Sequence, residues 1–245
     1  MPSKAVILAG GRGSRLAPYT TVIPKPLLPV GDRAILEIVL AQLRAAGIDE
    51  VIIAVGHLAH LVQAVLGDGS RHGLRIRYHL EDEPLGTAGA LAVLGGLDDT
   101  FLMMNGDVLT DLDYRKLLAA HREAGNAMTI ATHERDVATD YGVLHTDARV
   151  GATQAVVAYE EKPQLHYRVS MGVYALEPRA IAHVPRGIAF DVPDLVQALL
   201  GASDPVGSYP HNGYWLDIGR HDDYERAQRE ADDVLPRLLP EEAPA

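Results

Sequence analysis

The chain contains no cysteine, which excludes disulfide staples, a thiolate nucleophile and any Cys-ligated zinc or iron–sulfur centre. Any metal must therefore sit on oxygen or imidazole. No apolar run approaches the ~18 uninterrupted residues that a membrane helix needs. The opening MPSKAVILAG turns to glycine and arginine before a signal core could form, so the protein is expected in the cytoplasm without a membrane partner. Positive charge is also short, with 22 Lys+Arg against 33 Asp+Glu and a formal net charge of −11. Such a surface repels polyanions, so no nucleic-acid partner is expected. A small phosphorylated ligand needs only one basic pocket with backbone donors, and the acidic remainder does not forbid it.

What is present reads as an ordinary globular chain: 245 residues, 47% apolar and 22% charged, enough to bury a substantial core. No internal repeat and no long Pro/Gly/Ser linker divides it. Apolar runs at 5–9, 51–55, 74–78 and 101–105 read as strands and alternate with helical patterns, as in a parallel α/β sheet. Asp32 is expected to cap a helix that buries Leu36, Val39, Leu40 and Leu43 and ends at Gly47. A second helix should begin near Tyr114, a third at Asp191, and a last one near His221 with Tyr224, Ala227, Ala231 and Val234 as its stripe. Segments 127–133, 155–160 and 168–175 read as further strands, and the stretch after Leu235 as frayed.

Directly after the first strand come Leu8, Ala9, Gly10, Gly11, Arg12, Gly13, Ser14 and Arg15, followed by Pro24, Lys25 and Pro26. Glycines let backbone N–H groups approach a phosphate closely, and Arg15 and Lys25 add charge-assisted donors. A dinucleotide fingerprint would need a glycine where Leu16 stands, and the G-K-[ST] of a P-loop is absent. A glycine-rich turn with surface arginines would explain the glycines alone, but not a lysine aimed by a proline on each side.

The run LAGGRGSRLAPYTTVIPKPLLPVGDRAILE resembles the signature of the sugar-phosphate nucleotidyltransferases, with Ser14 in place of the usual threonine. The resemblance extends from Ala5 to about Tyr224. It implies a single Rossmann-like, glycosyltransferase-A-like α/β domain over residues 1–235, three-layered, with a mostly parallel central sheet and a small sugar-binding subregion. A nucleotide-binding half (about 1–113) would precede a sugar-phosphate-binding half (about 114–235), and 236–245 would form a flexible tail. The reaction implied is Mg²⁺-dependent transfer from a nucleoside triphosphate to a sugar 1-phosphate, with release of pyrophosphate. Arg15, Lys25 and Asp107 are the implied catalytic residues, and Leu8, Ala9, Gly10, Gly11, Gly13 and Ser14 the implied phosphate loop. Members of the family often form dimers or tetramers, so a homo-oligomer is expected.

Asp107 follows Met104, Asn105 and Gly106 at the end of a strand, the edge where ligands of open α/β sheets bind. The resemblance makes Asp107 one magnesium ligand and Asp217, within Tyr214–Gly219, the other. Magnesium prefers a few hard oxygens and shares its remaining positions with water and phosphate. Asp111 and Asp113 also have the D-x-D spacing of metal-binding glycosyltransferases, a competing reading that leaves the glycine loop and Lys25 without a task. His57 and His60 lie i, i+3, but no third ligand is identifiable for them.

Residues 81–89 resemble the family's base-reading loop and imply nucleotide contacts for Glu81, Gly86 and Thr87. Glu81 stands where thymidylyl and uridylyl members commonly carry glutamine. A carboxylate only accepts hydrogen bonds, which suits the adjacent N1–H and N2–H₂ donors of guanine. Asn105, Gly142, Glu161, Lys162 and Gly172 match the family's sugar-phosphate site. The pattern is nearest to short mannose- or heptose-1-phosphate guanylyltransferases. Glucose 1-phosphate with dTTP, CTP or UTP is the alternative, and a non-catalytic nucleotide-sugar sensor a further one.

Overall fold

The first strand is apolar on both sides: Ala5, Val6 and Ile7 are wholly buried. A strand with two buried faces belongs in the middle of a covered parallel sheet. The computed structural model describes residues 3–81, 83–150 and 152–239 and confirms that position. In chain order, β1 (Ser3–Ala9) leads through a small hairpin, β2 (Pro29–Val30) and β3 (Arg33–Ala34), to α1 (Ile35–Ala45), β4 (Ile48–Val55) and α2 (Ala59–Leu66). Then follow β5 (Arg75–Leu80), α3 (Gly86–Gly89), β6 (Phe101–Asn105), β7 (Val108–Thr110) and α4 (Tyr114–Ala124). The remainder is β8 (Met128–Ala138), β9 (Val143–Val150), β10 (Thr153–Glu160), β11 (Gln164–Leu176), α5 (Pro178–Ile181), α6 (Val192–Gly201), β12 (Val206–Pro210), β13 (Trp215–Asp217) and α7 (His221–Leu238).

Seven strands form one sheet in the order β12-β8-β11-β6-β1-β4-β5. β1 runs parallel to both β4 and β6, and only β11 opposes its neighbours. Alternation along the strands divides the core. Ala5, Ile7, Ile53 and Met104 pack under α1, α2 and α4, while Val6, Ile52 and Met103 pack under α3 and α6. This gives the expected three layers. A third cluster joins Leu16, Leu28, Ile35, Leu109, Leu216 and Ile218 to the apolar stripe of α7. Burying Leu16 completely stabilises by about 1.5–3 kcal/mol and anchors the far end of the glycine loop.

Several boundaries differ from the sequence reading. α1 starts at Ile35 with Ala34 at its N-cap, not at Asp32. Gly31, at φ +60, and Asp32 instead turn the β2–β3 hairpin, and the Glu37 carboxylate accepts from Ala34 N–H at 3.1 Å. β8 and β11 are longer than expected. The final helix continues to Leu238, whose 2% exposure within the third cluster makes 236–238 part of the packed body. The 1–235 limit therefore moves outward, and residues 240–245 of the expected tail lie outside the described residues.

Candidate active site

After β1 the chain crosses to β4 on one side of the sheet, whereas β6 pairs on the other. Divergence of connections at adjacent parallel strands opens a crevice at their carboxyl ends. A cavity of about 530 Å³ lies there. Leu8, Ala9, Gly10, Gly11, Gly13, Ser14, Arg15, Lys25, Glu81, Gly86, Thr87, Asn105 and Asp107, all singled out from sequence, line it together. Arg12, Pro26, Ala54, Pro84 and Gly106 complete the wall; none of these five was assigned from sequence.

Local packing shows what the loop glycines do. A methyl on Gly10 would stand 2.4 Å from Glu81 Oε2, so its absence lets the Glu81 carboxylate close over the loop. Burial pushes the Glu81 carboxyl above its ordinary pKa. Gly13 adopts φ +60, and a side chain on it would crowd Thr20 at 2.9 Å and Lys25 Cβ at 3.2 Å. The loop is thereby drawn against the lysine segment, with Thr20 Oγ1 donating to the Gly13 carbonyl at 2.8 Å. Above Gly11 a methyl would meet no protein atom within 4 Å, so its backbone faces open space.

The two acidic positions, far apart in the chain, meet through a short antiparallel ladder. β13 pairs with β7 so that Asp217 lies opposite Val108, and Ile218 N–H donates to the Asp107 carbonyl at 3.1 Å. Lys25 Nζ donates to Asp107 Oδ2. The other oxygen, Oδ1, is buried with no hydrogen-bond partner, an arrangement that ordinarily costs free energy. Asp217 keeps contact with solvent, yet the packing around its carboxylate, and next the charge of Asp107, push its pKa upward, while Lys25 and Arg15 pull it down. Arg15 and Asp217 flank Gly219, where a methyl would stand 3.9 Å from Arg15 Nη1 and 3.7 Å from Asp217 Oδ2.

Two carboxylates with one oxygen unpartnered suit a hard divalent cation that takes its other ligands from water or phosphate. Among the described residues no group of three or more His, Asp or Glu forms a closed protein cage. The D-x-D pair has other occupations: Asp113 Oδ1 accepts from Arg115 and Lys116 N–H at the start of α4, and Asp111 is paired with His211 and Arg237.

The expected sugar-side residues divide into two groups. In β11, Ser170 opposes Thr132 and Tyr174 opposes Ile130, so three residues span the space of one and form a bulge. Bulges re-aim a strand locally. Gly172, at φ +73, is thereby set against Asn105, whose Nδ2 would lie 2.6 Å from an added methyl. Trp215 Nε1 holds the bulge by donating to the Met171 carbonyl at 3.1 Å. Neither Gly172 nor Asp217 is part of the cavity lining, and the remaining three residues, Gly142, Glu161 and Lys162, lie outside it as well. They gather at the root of an exposed arm, the β9–β10 hairpin, where Val143 pairs with Glu160. There Tyr159 packs against Gly142 and donates to the Glu161 carboxylate, and Lys162 adopts φ +48. Because β8 runs with β6, the arm rises from the same carboxyl edge as the glycine loop. No helix among the described residues is long and apolar enough to cross a membrane.

Comparison with known proteins identifies the family. Residues 4–234 match the family model "Nucleotidyl transferase". A UTP–glucose-1-phosphate uridylyltransferase of Synechocystis sp. is 34% identical over 246 residues, covering 92% of this chain and 62% of that protein. A mannose-1-phosphate guanylyltransferase of Mycobacterium tuberculosis is 35% identical over 228 residues, covering 91% of this chain and again 62% of its own length. The chain thus spans less than two thirds of these curated relatives. Among solved structures, one assigned as a glucose-1-phosphate thymidylyltransferase from Bacillus anthracis superposes with a TM-score of 0.75 at 25% identity, covering 95% of this chain and 96% of that one.

Proposed function

The chain belongs to the sugar-phosphate nucleotidyltransferase family, and from that premise we propose that it transfers a nucleoside monophosphate from an NTP to a sugar 1-phosphate, releasing pyrophosphate. The observation that carries this reading is that Asp217 lies within electrostatic reach of Asp107, Lys25 and Arg15 at the end of the β7–β13 ladder, with Asp107 Oδ1 buried and unpartnered. A divalent cation held by these two carboxylates, Mg²⁺ in this reading, supplies neutralisation of phosphate charge when bound.

The remaining work falls to side chains and backbone. N–H groups of the Gly10–Ser14 loop hold the triphosphate with Arg15 and Lys25. Lys25, oriented by Asp107 and its flanking prolines, stabilises the charge that accumulates on departing pyrophosphate. A phosphate oxygen of the sugar 1-phosphate attacks the α-phosphorus in line; the bond to the β-phosphate's bridging oxygen breaks, and its electron pair leaves with pyrophosphate. No protein nucleophile is needed. Asn105, Gly172 and Glu161 orient the sugar, and Lys162 offsets the repulsion between the two phosphorylated reactants.

For the base we propose guanine, because the half-buried Glu81 carboxylate at the cleft wall accepts from adjacent donors. Mannose 1-phosphate or a heptose 1-phosphate is the proposed acceptor. Glucose 1-phosphate with UTP or dTTP is the second reading, favoured by the near-equal likeness to the uridylyltransferase. Pyrophosphate release measured for GTP, UTP, dTTP and CTP against mannose, heptose and glucose 1-phosphates tests both. GTP with mannose or heptose 1-phosphate is expected to be fastest. Nucleotide binding without release across the whole panel would make this a binding protein and overturn the proposal.

A further inference from the structure

Two loops from opposite halves of the chain interlock at the base-side wall of the cleft. Phe190 N–H donates to the Leu85 carbonyl at 2.8 Å, and the Phe190 carbonyl accepts from the N–H groups of Ala88 and Gly89, each at 2.9 Å. Asp191 Oδ1 accepts from both donors of Thr87: the backbone N–H at 2.8 Å and the hydroxyl at 3.0 Å. The Thr87 hydroxyl in turn accepts from Val192 N–H at 2.9 Å. Gly86 is the residue that permits this closeness, since a methyl on it would meet the Phe190 carbonyl at 2.7 Å and Asp191 Oδ1 at 2.8 Å.

Asp191 also opens α6, and its own N–H donates to the Asp194 carboxylate at 3.0 Å. Helix capping alone does not account for its side chain reaching across to Thr87. Both donors of Thr87 are already committed, so the loop meets a ligand through its shape and its remaining atoms. That shape is fixed from outside the loop, by residues 188–192.

Resting on the nucleotidyltransferase reading, we infer that Asp191 is a positioning residue for triphosphate selection: by holding Thr87 it keeps the cleft wall of Pro84, Gly86 and Thr87 in one conformation. The two bonds from Thr87 to Asp191 are exposed and contribute little to global stability. Their effect lies in pre-organisation, because a wall that must order on binding weakens the ligand by the entropy it loses.

The test compares Asp191→Ala, Asp191→Asn and Asp194→Ala with the unmodified protein, reading amide hydrogen exchange at residues 86–89 and the KM for each substrate. Asn retains an acceptor oxygen for both Thr87 donors, and Asp194→Ala removes the helix-start bond while leaving Thr87 held. Asp191→Ala is expected to speed exchange at residues 86–89, raise the KM for the preferred triphosphate about tenfold, the scale of losing a hydrogen bond to a charged group, and narrow the preference between bases. The KM for the sugar 1-phosphate should stay within about twofold. Asp191→Asn should restore most of the loss, and Asp194→Ala should leave the triphosphate KM unchanged. Unaltered exchange in Asp191→Ala would refute the clamp. Faster exchange with an unchanged triphosphate KM, or an equal rise in both KM values, would refute the positioning role. An unmodified protein that neither binds nor turns over any triphosphate overturns the proposed function, and the selection role with it, whereas the exchange comparison still reports on the clamp.

Discussion

Lys25 and Lys162 are both assigned to phosphate, yet they stand on opposite kinds of support. Lys25 lies between two prolines, has a side chain only 12% exposed and is paired with Asp107 at the centre of the sheet. Lys162 sits at the root of an arm whose β10 strand is exposed along its entire length. A two-stranded ribbon with water on both faces is marginal by itself. The contrast teaches where precision resides: the proposed triphosphate side is built into the carboxyl edge of the sheet and held by its ladders, whereas the proposed acceptor side is carried partly by a ribbon. Damage at the centre should therefore cost turnover, and damage on the arm should cost acceptor affinity.

The largest expected effect is at the carboxylate pair. Asp217→Asn should fold normally, as judged by its circular dichroism spectrum, and lose about 100- to 1,000-fold in metal-dependent kcat, the scale of removing one preorganised electrostatic group. Retained turnover would break the central half of the comparison. Next is the lysine pair itself: Lys25→Ala should lower kcat about 100-fold, while Lys162→Ala should raise the KM for sugar 1-phosphate about fivefold and move the triphosphate KM little. Steady-state kinetics with each substrate varied separately checks this, and equal kcat losses would erase the distinction. Gly172→Ala tests the element that joins the two sides. Its φ of +73 and the Asn105 amide 2.6 Å from the new methyl should destabilise by about 1–3 kcal/mol and raise the acceptor KM, read by denaturant unfolding and kinetics.

The smallest effect concerns stability and pH. Asp217 has a folded-state pKa above its ordinary value, so the folded protein holds that proton more tightly than the unfolded chain does. Stability from this group is present at low pH and is lost as pH rises through and just above the normal carboxylate range. The metal-free Asp217→Asn protein should accordingly melt slightly higher than wild type at neutral pH, by a few degrees at most, with the gap closing under acid conditions. A lower Tm for the variant at neutral pH would contradict the assigned origin of the shift.

Much of the central site was legible because it is local. The glycine loop, Arg15 and Lys25 occupy one short stretch, so their order predicts one shared cavity wall before any fold is known, and they do line one cavity. Asp217 was reached only through family resemblance, since nothing near it in sequence announces that β13 will pair with β7 and bring it to Asp107. Asp191 was read as the start of a helix, and its partner Thr87 lies across the fold, so spacing carried no hint of the clamp. Boundaries failed where turns or burial prevailed over local signals. Gly31 moved the start of α1, and the buried side chain of Leu238 held together a terminal turn that contains Pro236.

Catalysis as proposed depends on Asp107 and Asp217 sharing one cation in the triphosphate complex. Electron paramagnetic resonance of Mn²⁺ bound with a non-hydrolysable triphosphate measures that directly, in wild type and in the Asp107→Asn and Asp217→Asn variants. One tightly held Mn²⁺ per wild-type chain, lost or greatly weakened in each variant, is the predicted result. An unchanged Mn²⁺ signal in Asp217→Asn would contradict it.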